Sequence, residues 1–408
     1  MSASAWPVVP LEQLVDPNRP ITYGIVQPGP DMPGGVPYVR VVDIQNGAVI
    51  SQQLRRTSPD IAQSYRRSSL SAGDLLISIR GHVGRTAIVT SDIGGANLTQ
   101  DTARVAVLPP TNVRYIQRYV ESASARHWLT QHTKGVAVTG INLTDLRRLP
   151  VPVPPPPEQR RIADILDKAD AIRRKRKQAI ALTDQFLRST FLEMFGDPVT
   201  NPKGWPVRSL GEVSDLFSGN SLPMGEEYDG QQDGILLLKV GDMNLLGNEN
   251  AISTSREWSS GITGCIVAPV GSVVFPKRGG AISTNKKRYL MRDAALDPNL
   301  MAVAPKKIIS TDFLLGWFDL IDLAVLSNGS TIPQLNKKDI APLRTIVPSG
   351  EIQECYANFC RHVRSLREKS ERARSQADQL FESLAHRAFR GELVRTEQIG
   401  RQLAMFNK

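Results

Sequence analysis

The sequence predicts an α+β fold in which two similar mixed α/β domains are separated by two long antiparallel coiled-coil helices, with pseudo-two-fold symmetry. Three observations predict it. Segments of the first half of the chain recur in the same order in the second half. Short β-branched runs alternate with glycine, proline and Asn-Gly turns, which is typical of strands. Two long stretches carry apolar residues at heptad spacing, which is typical of paired helices.

The composition is that of a globular protein, and the three cysteines lead us to expect the reducing cytoplasm as its compartment. The chain has 408 residues, of which 41% are hydrophobic and 22% are charged, so two or three domains are expected. We expect no membrane span and no signal peptide, since no apolar run approaches the ~20 residues required and the N-terminus lacks a basic region. Three cysteines cannot form a disulfide framework. The net charge of +10 favours an acidic partner such as nucleic acid.

The internal repeat has a period close to 200 residues. Four separated segments recur in order, with a small drift in offset that a few loop deletions explain. The pairs are 6–11 with 205–210, 37–47 with 236–247, 73–81 with 271–279, and 135–145 with 329–339. Because chance would not preserve both order and spacing, we interpret the chain as a duplication.

The first part of each half is predicted to be a mixed domain, over residues 1–155 and 197–348. Strands are predicted for runs such as VPYVRVVDI, DLLISIR and ARVAVL. Helices are predicted for residues 113–132 and 311–327. The mixture of the two predicts a compact α+β domain in each half.

The second part of each half is predicted to be a long helix, over residues 156–196 and 349–392, with 393–408 left as a C-terminal tail. The proline-rich segment 150–159 should prevent helix 1 from beginning before the segment ends. Gly196 and Gly391 are expected to end the two helices. The heptad positions of helix 1 are Ile162, Ile165, Ala169, Ile172, Ala179, Thr183, Phe186 and Thr190. Those of helix 2 are Tyr356, Phe359, Val363, Leu366, Ala373, Ala377, Leu380 and Leu384.

Each apolar seam needs a partner, and the simplest partner for helix 1 is helix 2. Helix 1 leads out of the first domain and helix 2 must return from the second, so the pair is expected to be antiparallel. At 1.5 Å per residue such a rod would be about 57 Å long. Two similar domains held at a fixed distance would suit two half-sites on duplex DNA.

Several of these segments resemble one protein family. The stretch PVPVPPPPEQRRIADILDKAD (150–170) is similar to the proline-rich segment and helix start of type I restriction-modification specificity subunits. VRVVDIQNG, GDLLISIRGHVGRTAIV and KGVAVTGINLTDL resemble their first target-recognition domain. FPKRGGAISTNKKRYLMRDAALDPNLMAV and NGSTIPQLNKKDI resemble their second, so that the likeness covers residues 6–392. The second helix start, VPSGEIQECYANF, departs from the pattern. It lacks the polyproline and the Glu-Gln pair, and only Gln353 matches a residue of the first start, Gln159.

The resemblance implies a non-catalytic subunit that determines which DNA sequence a larger complex acts on. It implies binding of a bipartite double-stranded DNA target, one half-site per recognition domain. It also implies docking of two methyltransferase subunits and, in many members, of two ATP-driven restriction subunits. S-adenosylmethionine, ATP and Mg²⁺ would be bound by those partners, and this subunit would bind no cofactor and no metal. We expect a cytoplasmic protein with no membrane partner.

The candidate DNA-contacting residues are basic or polar and lie in predicted turns or strand ends. Arg80 and Arg278 each end a strand-like run before a glycine, where arginine can reach a guanine edge or a phosphate; a salt bridge that fixes the turn is the alternative. The cluster 284–288 could contact phosphate or be a solvated loop. The full candidate set is Arg55, Arg56, Arg66, Arg67, Arg80, Arg85, Lys277, Arg278, Thr284, Asn285, Lys286, Lys287 and Arg288.

Other notable residues are given structural roles. Asn142 and Asn336 are expected to act as turn or cap residues rather than to contact DNA. The basic run 173–177 could lie along DNA, although a solvated face or a partner contact is favoured. His127 and His132 are five residues apart and do not share a helix face, so a metal site is not expected.

Two other classes of function stay open. A protein-interaction scaffold is one, since residues 196–349 carry 15 Lys/Arg against 16 Asp/Glu. A nuclease or methyltransferase that acts alone is the other. It has no support from motifs, since the sequence contains no Gly-Lys dipeptide, Gly-x-Ser-x-Gly or His-Glu-x-x-His.

Overall fold

The computed structural model describes residues 6–135, 139–261, 264–327 and 333–393. The chain forms two compact units. Unit 1 takes in the chain up to Gln178 and from Ser370 onwards, and unit 2 is Ala179–Lys369. Residues 136–138 and 328–332 of the repeated segments, and the tail from residue 394, lie outside the described residues.

Unit 1 contains eleven short strands and four short helices among its described residues. The strands are β1 (Val8–Pro10), β2 (Thr22–Tyr23), β3 (Val36–Val39), β4 (Ile44–Gln45), β5 (Ala48–Val49), β6 (Arg55–Thr57), β7 (Leu75–Ser78), β8 (Thr86–Ile88), β9 (Asn97–Leu98), β10 (Thr102–Val105) and β11 (Pro150–Pro152). The helices are α1 (Pro59–Ser64), α2 (Val113–Val120), α3 (Ala123–His132) and α4 (Leu143–Arg147). The long helix α5 (Pro156–Phe195) begins in this unit and ends in the other.

Unit 1 contains several small sheets and two buried apolar clusters. One sheet has the order β2-β10-β7-β8, with antiparallel neighbours, and a second has the order β6-β3-β9, in which β3 and β9 are parallel. Strands β1 and β11 pair with each other, and β4 and β5 form a hairpin. Helices α2 and α3 cover the first sheet with Tyr115, Ile116 and Leu129, which are fully or almost fully buried.

Unit 2 has a similar set of elements. Its strands are β12 (Val207–Ser209), β13 (Ser214–Ser218), β14 (Glu226–Glu227), β15 (Ile235–Leu238), β16 (Ala251–Ile252), β17 (Glu257–Ser259), β18 (Val267–Ala268), β19 (Val273–Pro276), β20 (Arg288–Leu290), β21 (Ala294–Leu296), β22 (Leu300–Pro305) and β23 (Arg344–Ile346). Its helices are α6 (Leu210–Val213), α7 (Thr311–Asp319), α8 (Leu323–Leu326) and α9 (Lys337–Ile340). The long helix α10 (Gly350–Phe389) begins here and ends in unit 1.

The predicted duplication is confirmed by sheet topology. Strand β22 lies between β13 and β19, as β10 lies between β2 and β7. Strands β15 and β21 are parallel, as β3 and β9 are. The pair β12–β23 repeats the pair β1–β11. The predicted α+β class, with two similar domains and two long helices, is therefore confirmed.

Two of the predicted helices were wrong, because each is divided into two. Residues 113–132 form two helices rather than one, because the Ser122 hydroxyl accepts a hydrogen bond from the Ala125 N–H and starts α3 as an N-cap. Residues 311–327 likewise form α7 and α8, and Asp322 caps the second. Helix α5 begins at Pro156, as in the predicted range 156–196. This start lies inside the proline-rich segment that was expected to end before the helix, and it is possible because first-turn residues need no N–H donor. Gly196 and Gly391 have positive φ and follow the ends of α5 and α10, as predicted.

Each unit contains one antiparallel pair of long-helix segments, as predicted. In unit 1, Arg173 Nε of α5 donates to Asp378 Oδ1 of α10 at 2.7 Å, and its guanidinium stacks 4.3 Å from the Phe381 ring centre. In unit 2, the Phe191 ring of α5 lies edge-on to Tyr356 of α10, with ring centres 5.6 Å apart. Phe186 meets Phe359 in the same way at 5.2 Å.

The predicted heptad seam holds at most of its positions and fails at residues 186 and 366. The buried members are Ile162, Ile165, Ala169, Ile172, Tyr356, Val363, Ala377 and Leu384. The half-buried members are Ala179, Thr183, Thr190, Phe359, Ala373 and Leu380. Phe186 and Leu366 were wrongly predicted to be buried: they are 55% and 46% exposed.

The cores of the two units, rather than distance along the heptad pattern, account for this failure. Ala377 and Leu384 pack into the core of unit 1 and Tyr356 packs into that of unit 2, whereas Phe186 and Leu366 belong to neither core. In unit 2 the core positions of α5 are instead Phe191 and Phe195, which are fully buried. Their rings contact each other and Phe313 of α7. None of the helices in the described part of the chain could span a membrane.

Candidate nucleic-acid interface

An Arg-Gly turn follows strand β7 in unit 1. Gly81 has a φ of +69°, which a residue with a side chain rarely adopts. Its N–H donates to the Thr139 carbonyl at 2.9 Å, and Arg80 pairs with Gly140 in an isolated antiparallel bridge. The glycine therefore bends the chain at a defined point, and the backbone of Arg80 is fixed by two separate segments.

The same turn follows strand β19 in unit 2. Gly279 has a φ of +67°, and its N–H donates to the Pro333 carbonyl at 2.8 Å. Arg278 pairs with Gln334 in an antiparallel bridge. The predicted correspondence of Arg80 with Arg278 is thus reproduced in backbone conformation, in hydrogen bonding and in strand pairing.

Both arginine side chains are exposed. The Arg80 guanidinium lies 3.8 Å from the Asp101 carboxylate, and the two side chains are 50% and 44% exposed. A pair with this geometry contributes between about 0 and 1 kcal/mol, so it does not hold the turn. The Arg278 guanidinium makes no hydrogen bond or ion pair to the described residues. Two strand ends therefore each present an arginine to the solvent.

The segment that pairs with each turn leads into a short helix. Asn142 caps α4, and its Oδ1 accepts from the Asp145 N–H at 2.7 Å. Asn336 caps α9 within a capping box, in which its N–H donates to Asp339 at 2.8 Å. The predicted cap role of both asparagines is confirmed.

Lys337 and Lys338 were not among the predicted site residues. They occupy the first two positions of α9 and are exposed. The pKa of Lys277 is lowered mainly by burial, and the charges of Arg278 and Lys337 lower it further. The signal that could have identified them was the Lys-Lys pair itself, directly after the Asn336 cap and three residues after the segment that pairs with Arg278.

The cluster 284–288 is directed largely into unit 2. Asn285 adopts a left-handed conformation with φ +52°, and its Oδ1 accepts from the Leu323 N–H at 3.0 Å. The Thr284 hydroxyl is exposed but donates to the Ala281 carbonyl at 2.6 Å, and the Lys286 ammonium donates to Asn244. Arg288 is half-buried and donates to the Asn248 carbonyl at 3.0 Å.

Lys277 and Lys287 are buried, each with only 6% of its surface exposed. Lys287 Nζ donates to the Ile321 carbonyl at 2.6 Å, and burial lowers its pKa to about 8. The Lys277 ammonium donates to the Ser218 hydroxyl, and its pKa is lowered mainly by burial and then by the charge of Arg278. Both ammonium groups thus make their hydrogen bonds inside the domain, so we do not assign them to a DNA interface.

The remaining candidates of unit 1 are exposed and lie in two places. Arg55 and Arg56 are on the edge strand β6, and Arg56 Nη1 donates to the Gly35 carbonyl at 2.8 Å. Arg66 and Arg67 are in the turn after α1, and Arg67 lies over the Tyr23 ring at 5.9 Å. Arg85 is in the loop that joins β7 to β8, which also contains Arg80. For all of these residues DNA contact stays a prediction.

The basic run 173–177 does not present a single face. Arg173 is committed to α10, as described above, whereas Arg174 Nη1 donates to the Asn46 carbonyl at 2.9 Å and Nη2 lies 3.4 Å from Asp170. Lys175 and Lys177 are exposed. Within the described residues there is no cluster of three His, Cys, Asp or Glu side chains that could hold a metal ion.

The chain matches known proteins over most of its length. The family model for the type I restriction modification DNA specificity domain matches twice, over residues 27–182 and 202–371. The specificity subunit of the type I restriction enzyme EcoBI of Escherichia coli is 31% identical over 224 residues, which are 53% of this chain and 45% of that subunit. That of the MjaIX enzyme of Methanocaldococcus jannaschii is 22% identical over 214 residues, 48% of each chain. The matches thus span less than half the length of these two relatives.

A solved structure supports the fold. The S subunit of the type I restriction-modification system from M. genitalium superposes with a TM-score of 0.53 at 15% identity, covering 94% of this chain and 96% of that chain. The repeated sheets, and the arginine turn that occurs once in each unit, define a protein built from two similar α+β domains. The two family matches name that class: this chain belongs to the type I restriction-modification DNA specificity family.

Proposed function

We propose that this protein is the DNA sequence-specificity subunit of a type I restriction-modification complex and binds a bipartite target, with one half-site per domain. The observation that carries the proposal is the Arg-Gly turn, which occurs once in each domain with an exposed arginine. A duplicated domain fits two half-sites. The residues around the turns differ, so the two domains would read different base sequences.

The surroundings of each turn suit a phosphate backbone. Exposed cations lie nearby in both units: Arg85 in the loop of Arg80, and Lys337 and Lys338 beside the segment paired with Arg278. Phosphate contacts fix the register of a protein on DNA, and contacts to base edges specify the sequence. We assign the lysines to phosphate, and Arg80 and Arg278 to base edges, because the planar guanidinium can donate two parallel hydrogen bonds to guanine.

The long helices would dock the partner subunits. Leu182 and Phe186 lie one turn apart on α5 and are 53% and 55% exposed. They line a mainly apolar groove of about 370 Å³ with Ala179, Thr183, Gln185 and Ser189. Exposed apolar patches of this kind are typical of protein interfaces. We assign this groove, called the α5 groove below, to one of two methyltransferase subunits; two restriction subunits would complete the assembly.

Chemistry would reside in those partners. In this proposal S-adenosylmethionine is bound by the methyltransferase subunits, and ATP and Mg²⁺ by the restriction subunits. The chain described here would supply no catalytic residue. Purified chain incubated with DNA, Mg²⁺ and labelled S-adenosylmethionine is expected to show neither cleavage nor incorporation, and either activity would contradict this part of the proposal.

The test of the proposal is a selection of bound duplexes from a random pool, with the methyltransferase subunits present. The expected result is one bipartite motif: two short specified sequences separated by an unspecified gap of constant length. A single contiguous motif would contradict the assignment of one half-site to each domain. The absence of any enriched sequence would contradict the function.

A protein-interaction scaffold is the second candidate, favoured by the near-neutral charge of residues 196–349. A salt titration separates the two functions. A DNA reader loses duplex affinity steeply with salt and binds its target typically 10³–10⁷-fold more tightly than random sequence. A scaffold is expected to show weak binding without this preference.

A further inference from the structure

A basic cavity lies beside the loop of Arg80 in unit 1. It has a volume of about 660 Å³, and its walls come from the β4–β5 hairpin, the loop before β8, the α2–α3 junction and helix α5. Three cationic side chains line it: Arg85 from the loop, Arg126 from α3 and Lys177 from α5. These cations come from separate elements, and the fold brings them to one cavity.

The one carboxylate of the cavity does not neutralise these cations. Glu121 accepts a hydrogen bond from the Thr86 hydroxyl through Oε1, and through Oε2 it accepts one from Arg118 at 2.8 Å. The Arg118 side chain is 7% exposed, so this acidic group is committed to a cation beneath the cavity. Three cationic side chains therefore line the cavity, and the one carboxylate that lines it is paired with Arg118.

The three cationic side chains differ in the contacts that they make with the rest of the protein. Arg126 Nε donates to the Glu121 carbonyl at 2.6 Å, which orients the guanidinium, and its Nη2 lies 3.6 Å from the Glu382 carboxylate. Arg85 and Lys177 are exposed and make no side-chain hydrogen bond or ion pair to the described residues. One oriented guanidinium and two uncommitted cations are a suitable set of donors for a phosphate group.

The hairpin wall is held in place rather than loose. Its tip, Asn46-Gly47, has positive φ at both residues, as a tight two-residue turn requires. Arg174 Nη1 binds the Asn46 carbonyl at 2.9 Å, and Gln117 Nε2 binds the Gly47 carbonyl at 2.9 Å. Helices α5 and α2 thereby fix the cavity wall, which favours a preformed binding site.

We infer that this cavity binds a phosphodiester group of the bound duplex, next to the half-site that Arg80 contacts. The inference rests on the proposed function and adds a site to it. The cavity is larger than one phosphate and can admit a phosphate with its neighbouring sugars. Unit 2 lacks the helix cation, because the position 194 residues after Lys177 is Glu371. The site therefore belongs to the first domain.

The test compares two double variants of the full chain. Each variant is assembled with the methyltransferase subunits, as in the selection of bound duplexes. Arg85→Ala/Lys177→Ala removes two cations from the cavity. Lys168→Ala/Lys175→Ala removes the same charge from exposed positions of α5 that do not line it. Duplex affinity is measured against salt for the selected target and for random duplex.

The expected result is that the cavity variant loses at least tenfold in affinity for both duplexes by the same factor. Its salt dependence should also fall, by ~0.9 in the slope of log K against log salt for each lost phosphate contact. The control variant should match the wild type. Equal behaviour of the two variants would overturn the inference and leave the proposed function intact.

Two further outcomes separate the inference from the function. The wild type could show no sequence preference while its binding to random duplex depends on the cavity cations. That result would contradict the proposed function and support the phosphate site. Pyrophosphate and ATP are titrated without DNA by calorimetry. Binding of either that depends on Arg85 and Lys177, together with unchanged duplex affinity of the cavity variant, would assign the cavity to free nucleotides and overturn the inference.

Discussion

Gln159 and Gln353 make the same hydrogen bonds at the starts of the two long helices. Gln159 Oε1 accepts from the Asn112 N–H at 2.8 Å, and Gln353 Oε1 accepts from the Ser310 N–H at 2.7 Å. The Nε2 of each donates to the carbonyl of the proline five residues earlier, at 2.9 and 2.8 Å. Both side chains are almost fully buried. Each glutamine thus ties a long helix to the start of α2 or α7.

Replacing either glutamine with leucine should destabilise its unit. Gln159→Leu and Gln353→Leu leave a buried N–H and a buried carbonyl without partners, at about 1–3 kcal/mol for each group. Denaturant unfolding of each variant should show an earlier transition. Gln63→Leu, at an exposed position of α1, is the control and should change little. A stability loss confined to one of the two variants would contradict the equivalence.

An Arg-Asp hydrogen-bonded pair of unit 1 is not reproduced in unit 2, and this difference predicts a stabilising substitution. Arg40 binds Asp43 through Nε and Nη2 at 3.0 and 2.8 Å. In unit 2 the equivalent Lys239 turns to Glu257, and the buried Asp242 Oδ1 makes no hydrogen bond in the described part of the chain and lies 3.9 Å from Arg256 Nε. Lys239→Arg should restore the pair and stabilise unit 2 by about 1–3 kcal/mol.

The pH dependence of this variant gives an independent measurement. Burial raises the pKa of Asp242 above its usual value. The folded state then binds more protons than the unfolded state, so the stability contribution of Asp242 falls as pH rises from about 4 through the folded pKa. Lys239→Arg should flatten this fall in denaturant midpoints measured between pH 4 and 7. A midpoint profile identical to that of the wild type would contradict the pairing.

Lys287 is predicted to matter for stability and not for DNA. Its pKa is lowered to about 8 by burial, so between that value and the unfolded value near 10.5 the unfolded state binds more protons. Stability should therefore rise with pH in this window. Lys287→Met should abolish the rise and leave duplex affinity unchanged. Lys286→Met, at the neighbouring half-buried position, should keep the rise.

Arg80 and Arg278 are predicted to specify one half-site each. Arg80→Ala and Arg278→Ala should each cost about 1–3 kcal/mol of discrimination at one base position and leave the other half-site intact. Affinities for duplexes with single base-pair changes measure this effect. Arg148→Ala, at an exposed arginine after α4, serves as the control. Equal loss on all duplexes would instead assign both arginines to phosphate.

The α5 groove is predicted to be required for assembly. Phe186→Glu places a charge among apolar groups in the docked state and should remove most of the methyltransferase subunit from the purified complex. Folding should persist, because Phe186 is 55% exposed in the chain alone. Gln178→Glu adds the same charge at an exposed position outside the groove. Co-purification at wild-type stoichiometry with Phe186→Glu would exclude this docking site.

Local sequence signals accounted for much of the fold and for part of the site. The turns at Gly81 and Gly279 were predictable, because a positive φ selects glycine at that point of a strand ending. The asparagine caps were predictable because their hydrogen bonds span three residues. The burial of Lys277 and Lys287 was not predictable, because nothing local distinguishes a lysine whose ammonium donates inside the domain from one in solvent.

The sequence by itself determined the duplication, the α+β class, the two long helices and the equivalent arginine turns, because each is encoded by neighbouring residues or by a repeat in the chain. Only the tertiary structure decided which cations face the solvent and which seam residues are buried. It also decided that Arg85, Arg126 and Lys177 line one cavity. These properties arise from packing between segments that are far apart in the chain. Whether a seam residue or an ammonium group is buried depends on the segments that pack against it.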